Sequence, residues 1–196
     1  ELIPDLAEKY EQVTDLKYKF YIREGVKFHN GDPLTVDDIV YSYNSIMSGK
    51  LPSQHNSTFE NIKSIVAESP NIVTVELKEK YAPLLVALKI GVVPRKVAEE
   101  LGDKFAMAPV GTGPYKFVEF KSDASLLLQK NDDYFGAKAK LPFLEFKILK
   151  DDNVRVLQLM KGTVDIVQNG VPPVLIDTLK KKKNIELSLT AKNHLF

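Results

Sequence analysis

The stretch from Phe28 to Gly49 constrains the fold most, because a turn, a cap, an amphipathic helix and a stop follow one another in it. Asn30-Gly31-Asp32-Pro33 is dense turn chemistry. Glycine accepts positive φ, Asn and Asp bond to nearby backbone, and proline presets its own φ. Thr35 then caps a helix whose first turn holds Asp37 and Asp38, where the helix dipole favours carboxylates. Val36, Ile39, Val40, Tyr43, Ile46 and Met47 recur at helical spacing as one apolar stripe, and Ser48-Gly49 ends the helix. A helix with one apolar face has to bury it against another layer.

The rest of the chain supplies strands for that layer. Leu16–Ile22 alternates lysine with bulky residues and reads as a strand with one solvated face. Ile62–Ala67 and Ile72–Leu77, joined by Glu68-Ser69-Pro70-Asn71, predict a half-buried hairpin in which Val73, Val75 and Leu77 alternate with Thr74 and Glu76. Tyr115–Phe120 and Ser125–Lys130 predict a second hairpin, and Phe143–Leu149 a further strand. Shorter strands are expected at Ile90–Val93, Val164–Val167 and Ile185–Leu189, and Leu51–Phe59 reads as a loop.

Helices are expected at several other places. Pro4 with Asp5-Leu6-Ala7-Glu8-Lys9-Tyr10 reads as a short helix with its acids early. Residues 81–88 carry Pro83 in a first turn, and Pro94 opens a helix that Gly102 stops after Leu101. Asp151 and Asp152 start a helix over Asn153–Lys161, with Val154, Leu157 and Met160 on its inner face and Gly162 at its end. Pro173 starts the last helix, which runs through the lysines at 180–183. Hairpins alternating with helices predict an α/β (mixed α+β) fold with a mixed sheet.

Composition narrows the chemistry. A formal net charge of +1 over 196 residues lacks the concentrated basic face that nucleic-acid binding needs. There is no cysteine, which excludes disulfides and thiolate zinc sites. No apolar run reaches the length of a transmembrane helix. Glu1-Leu2-Ile3-Pro4 is not the basic head and apolar stretch of a signal peptide. His29, His55 and His194 lack the spacing of a metal site and read as isolated polar histidines, so neither metal nor cofactor is expected. Gly111-Thr112-Gly113-Pro114 lacks the lysine ending of a phosphate loop, and Pro114 removes a backbone donor. A tight turn ahead of Tyr115 is the plainer reading. Asp37-Asp38 and Asp151-Asp152 point in different directions as helix neighbours and read as helix starts rather than carboxylate dyads. With no nucleophile motif, the chain reads as a non-enzyme.

Four segments carry a family resemblance. They are Pro4–Glu8 with Tyr18–Ser42, then Gly111-Thr112-Gly113-Pro114-Tyr115-Lys116-Phe117, Asn131-Asp132-Asp133-Tyr134-Phe135, and Gly162-Thr163-Val164-Asp165-Ile166. In this order they resemble the ABC-transporter extracellular solute-binding proteins of family 5, the oligopeptide-, dipeptide- and nickel-binding type. The approach Thr14-Asp15-Leu16-Lys17 looks a residue shorter than in that family. The resemblance implies a lobe like that of type II periplasmic binding proteins, with the second lobe absent and this chain a portion of the first. It implies an inserted small subdomain over residues 35–110, with 1–34 and 111–196 as portions of the main sheet.

The implied function is extracytoplasmic capture of a small peptide or related solute in an interlobe cleft, and delivery to the ABC permease subunits of the membrane. A peptide-signal sensor of the same fold, or a secreted hydrolase, is the alternative. Incomplete edges leave open strands through which such a portion of a lobe can dimerise. The ligand-binding positions implied are Gln168, Asn169 and Gly170, which align with a cleft-facing segment in relatives and carry amides that both donate and accept. The other reading of Asn169-Gly170 is a plain turn. His194 and Phe196 lie where relatives present aromatic residues before the hinge, with core packing as the other reading. Gly91, in the Ile90-Gly91-Val92 strand end, is the remaining position.

Overall fold

The computed structural model describes residues 3–49 and 59–188. The chain divides into two compact units, one of residues 1–120 with 126–145 and one of residues 121–125 with 146–196.

The first unit is built on a four-stranded sheet ordered β1-β2-β4-β3, from β1 (Ala7–Thr14), β2 (Lys17–Ile22), β3 (Ile62–Ser69) and β4 (Ile72–Leu77). Every pairing in it is antiparallel. The sheet unites residues on both sides of position 35. The expected β3–β4 hairpin forms, with Ile65 opposite Val75 and Ala67 opposite Val73. Residues 7–10, expected in a helix, are instead the start of the edge strand β1. The Pro4 and early-acid signal is local, but Tyr10 pairs with Phe20 and Glu11 with Lys19, and the Tyr10 ring stacks on Phe20 at 6.0 Å. A hairpin partner three residues away outcompetes a helix of a turn or two, which is marginal by itself.

Helix α1 (Val36–Met47) covers this sheet as its stripe requires. Val36, Ile39 and Tyr43 are buried in one cluster with Phe28, Ile65, Val73, Val75 and Leu77. Each such side chain contributes about 1.5–3 kcal/mol by leaving water. The Thr35 N–H donates to Asp38 Oδ2 at 2.9 Å, closing the N-terminal turn. The other Asp38 oxygen accepts from the Arg95 N–H at 2.8 Å, and Ser42 Oγ accepts from the Val93 N–H at 3.0 Å. Residues 90–93, expected as a strand, therefore run as an irregular segment stitched to α1, and among the described residues no strand pairs with them. Helices α2 (Leu84–Ala87) and α3 (Arg95–Leu101) flank that segment, with Gly102 ending α3 at φ +52°. Of the expected loop 51–59, residues 51–58 lie outside the described residues, and Phe59 is buried.

A second sheet has three strands in the order β5-β6-β7, from β5 (Tyr115–Lys121), β6 (Ser125–Lys130) and β7 (Phe143–Lys147). In the second unit, α4 (Asp152–Lys161) starts where expected, with Asp151 Oδ1 accepting from the Val154 N–H at 2.9 Å, and Gly162 ends it in the left-handed region. Its buried face differs from the one expected. Val156 is fully buried, whereas Val154 and Leu157 are exposed. Val154, Leu157 and Met160 share a stripe by spacing, but the dock made by this unit falls on the neighbouring one. Helix α5 (Pro173–Lys180) buries Leu179 and stops before lysines 181–183, which are exposed. The strands expected at 164–167 and 185–189 do not form among the described residues, and Leu189 lies outside them.

Candidate functional site

The amide segment Gln168-Asn169-Gly170 sits in the loop between α4 and α5, and all three residues are exposed. Asn169 and Gly170 both adopt positive φ, +62° and +64°. Asn is among the few residues that tolerate this region, and Gly enters it at no steric cost. Gly170 is also approached closely by side chains of α4. A Cβ there would come within 2.5 Å of Arg155 Nη2 and 3.0 Å of Asp152 Oδ1. Arg155 pairs with Asp152 across one turn of α4 and donates to the Leu149 carbonyl. The turn is thus seated closely on the first turn of α4.

Asn169 and Gly170 border a hollow of about 860 Å³ within this unit, together with Leu159, Val164, Asp165, Ile176 and Glu186. Gln168 is not part of its lining. Such a wall offers an amide that donates and accepts, two carboxylates and aliphatic surface. It suits a neutral or cationic polar group joined to an apolar body. Among the described residues no three acidic or histidine side chains cluster as metal ligands do.

Of the other sequence-derived positions, Gly91 does not border this hollow. Gly91 belongs to the first unit and is exposed. Its neighbours Ile90 and Val92 border a second hollow of about 520 Å³, with Tyr10, Phe20, Tyr43 and Leu88. That hollow lies against the core cluster, and its walls are mainly apolar. His194 and Phe196 lie outside the described residues, as does His55.

One polar assembly escaped the reading of spacing. His29, expected to be isolated, joins two of the four motif segments. Its backbone N–H donates to the Gly111 carbonyl at 2.8 Å, and its Nδ1 accepts from the Gly111 N–H at 3.2 Å. Its Nε2 lies 3.0 Å from the Gly113 carbonyl. These partners specify a neutral ring with the proton on Nε2. Burial holds the imidazole below its usual pKa, the Gly113 carbonyl opposes that, and the Lys116 charge adds to it. A third motif closes the joint. Asn131, fully buried, donates from Nδ2 to the same Gly113 carbonyl at 2.9 Å, and its N–H donates to Pro114 O at 2.8 Å. Residues more than 80 positions apart give no periodic signal, so only the motifs' joint presence hints at it.

Comparison with known proteins follows the same motifs. The family model described as bacterial extracellular solute-binding proteins, family 5 Middle, matches residues 1–195. The oligopeptide-binding protein AppA of Bacillus subtilis (strain 168) is 32% identical over 193 residues, covering 93% of this chain and 35% of that protein. The structure of the ABC transporter-associated periplasmic binding protein DppA from Helicobacter pylori in complex with peptide STSA superposes with a TM-score of 0.85. It is 27% identical, covering 93% of this chain and 41% of that one. NikZ from Campylobacter jejuni in complex with Ni(L-His) gives a TM-score of 0.80 at 30% identity, covering 92% of this chain and 37% of that one. The chain thus spans between a third and a little over two fifths of the length of each of these three relatives.

Proposed function

The chain belongs to the bacterial extracellular solute-binding proteins of family 5 and has the fold of part of a type II periplasmic binding protein lobe, and on that premise we propose that the protein carrying it captures peptides or a related small solute. It does so outside the cytoplasmic membrane and hands the solute to the permease of an ABC importer. The observation that carries this reading is the match through residues 1–195, joined to a relative named for oligopeptide binding and a neighbour solved around a peptide. The names of AppA and DppA describe binding proteins, in keeping with a non-enzymatic role.

The proposed mechanism is a population shift. Solute contacts that are better in a closed form than in an open one draw the protein closed, and only that difference drives the motion. Main-chain hydrogen bonds would hold peptides of varied sequence, while roomy pockets accept their side chains. Asn169 and Gly170 are the proposed solute-facing residues described in this chain, with Gln168 beside them. Gly91, His194 and Phe196 are kept as secondary positions.

Native mass spectrometry of the intact protein, purified gently from its expression host, tests the proposal. A heterogeneous ladder of short-peptide adducts is the expected result. A single defined mass would point to a metal chelate or a sugar-like solute, as NikZ with Ni(L-His) illustrates. No adduct, and no thermal stabilisation by a peptide panel, would overturn peptide capture.

A further inference from the structure

The sequence contains the dipeptide Asn-Gly twice, at Asn30-Gly31 and Asn169-Gly170. Asn-Gly is the pair most open to spontaneous deamidation, because the glycine has no side chain to obstruct attack by its own backbone nitrogen on the preceding amide. By sequence alone the two pairs are equivalent, but the fold separates them.

At Asn30 every participant in the reaction is engaged. The nucleophile, the Gly31 nitrogen, donates its proton to the Phe28 carbonyl at 2.9 Å. Asn30 Oδ1 accepts from the Asp32 N–H at 3.2 Å, and Nδ2 donates to Asp32 Oδ2 at 2.7 Å. The amide carbon cannot turn toward the Gly31 nitrogen until these bonds open. The turn is also held by the bridge between Lys27 and Pro33.

At Asn169 nothing equivalent exists. Among the described residues, neither its side chain nor the Gly170 N–H makes a hydrogen bond. Both residues are exposed, so water and base reach them. Asn169 already stands in the left-handed region at φ +62°, which costs a non-glycine residue energy. Leaving that basin for the attacking geometry therefore relieves strain.

We propose that Asn169 is a site of spontaneous deamidation and that Asn30 is protected from it. The Gly170 nitrogen gives up its proton to solvent base and bonds to Asn169 Cγ, and the side-chain nitrogen leaves as ammonia. The resulting five-membered imide takes up one water at either carbonyl and opens to aspartate or isoaspartate. Either product adds a negative charge to a wall that already holds Asp165 and Glu186. Isoaspartate also lengthens the backbone by one methylene at the turn seated on Arg155. The reaction follows from the geometry of the turn alone. Only its consequence for solute capture rests on the function proposed above.

The test is to age the intact folded protein at mildly alkaline pH, beside an aliquot in urea, and to map tryptic peptides over time. The peptide beginning at Gly162 reports Asn169 and the one beginning at Phe28 reports Asn30. Each conversion adds about one dalton and splits the peak into aspartate and isoaspartate forms. In the folded chain Asn169 is expected to convert roughly tenfold or more faster than Asn30, since each hydrogen bond that must open slows Asn30 severalfold. In urea the two are expected to convert at comparable rates. Equal rates in the folded chain, or a faster Asn30, would overturn the proposal. So would a rate difference that persists unchanged in urea, because it would then belong to the sequence and not to the fold.

Discussion

The two units treat similar apolar sequence in opposite ways. In the first, Ile72–Leu77 alternates apolar and polar residues and becomes β4, hydrogen-bonded to β2 on one side and to β3 on the other. In the second, Val164–Val167 carries a comparable run and remains a loop, with Ile166 83% exposed. Among the described residues, most buried apolar side chains lie in the first unit, and the second contributes Val156 and Leu179. A pattern becomes a strand only when a partner ladder and a covering layer are present to satisfy its backbone and its side chains.

The largest test of this contrast is a pair of truncations. Phe28→Ala, at a position 2% exposed, is expected to cost about 3–5 kcal/mol in urea unfolding followed by circular dichroism. Ile166→Ala is expected to stay within about 0.5 kcal/mol. Comparable costs would show that the second unit has a core the contrast denies it.

Next comes the joint of the three motifs. Asn131→Ala removes a buried donor from the Gly113 carbonyl and is expected to cost about 1–3 kcal/mol. Hydrogen exchange should show the loss spreading to both Gly111–Pro114 and the 28–33 turn. Loss confined to residues 131–135 would mean that the joint does not couple them.

A smaller effect is expected in the second unit. Asp151→Ala removes the cap of α4 and should cost about 1 kcal/mol. It should be visible as faster exchange at Val154 and Arg155 while β4 is unchanged. An equal change at β4 would merge the two units into one cooperative body.

The smallest effect is the pH dependence of the His29 joint. Its imidazole is held below the ordinary histidine pKa of 6.5, first by burial. The unfolded chain therefore takes up the proton more readily than the folded one. The stability this neutral ring confers is complete above 6.5 and is lost as pH falls through the lowered folded value. An NMR titration should find the His29 midpoint below 6.5, and protonation should loosen the Gly111 N–H, which then faces another donor. A midpoint at or above 6.5 would sink this reading of the joint.

The helices were legible for a local reason. Thr35 with Asp38, Asp151 with Val154, and Gly162 at its positive φ act within a few residues of one another, so their geometry is written in the neighbouring sequence. The β3–β4 hairpin was legible on the same ground, its strands meeting across a short turn. The amide segment of the candidate site could be named because Asn-Gly announces a turn. That Arg155 lies against Gly170 could not be read, since α4 reaches the turn only through folding.

The sequence by itself determined the family motifs, the capped helices, the short hairpins and the lack of cysteine chemistry. Tertiary structure alone decided that residues 7–10 are strand, that α4 buries Val156 in place of Val154 and Leu157, and that His29 and Asn131 converge on Gly113. It also distinguished the two Asn-Gly turns. A helix satisfies its backbone within four residues, and a cap acts over the same range. A strand, a buried face and a shared carbonyl each need a partner that is distant in sequence, so their outcome depends on which partner the fold brings near.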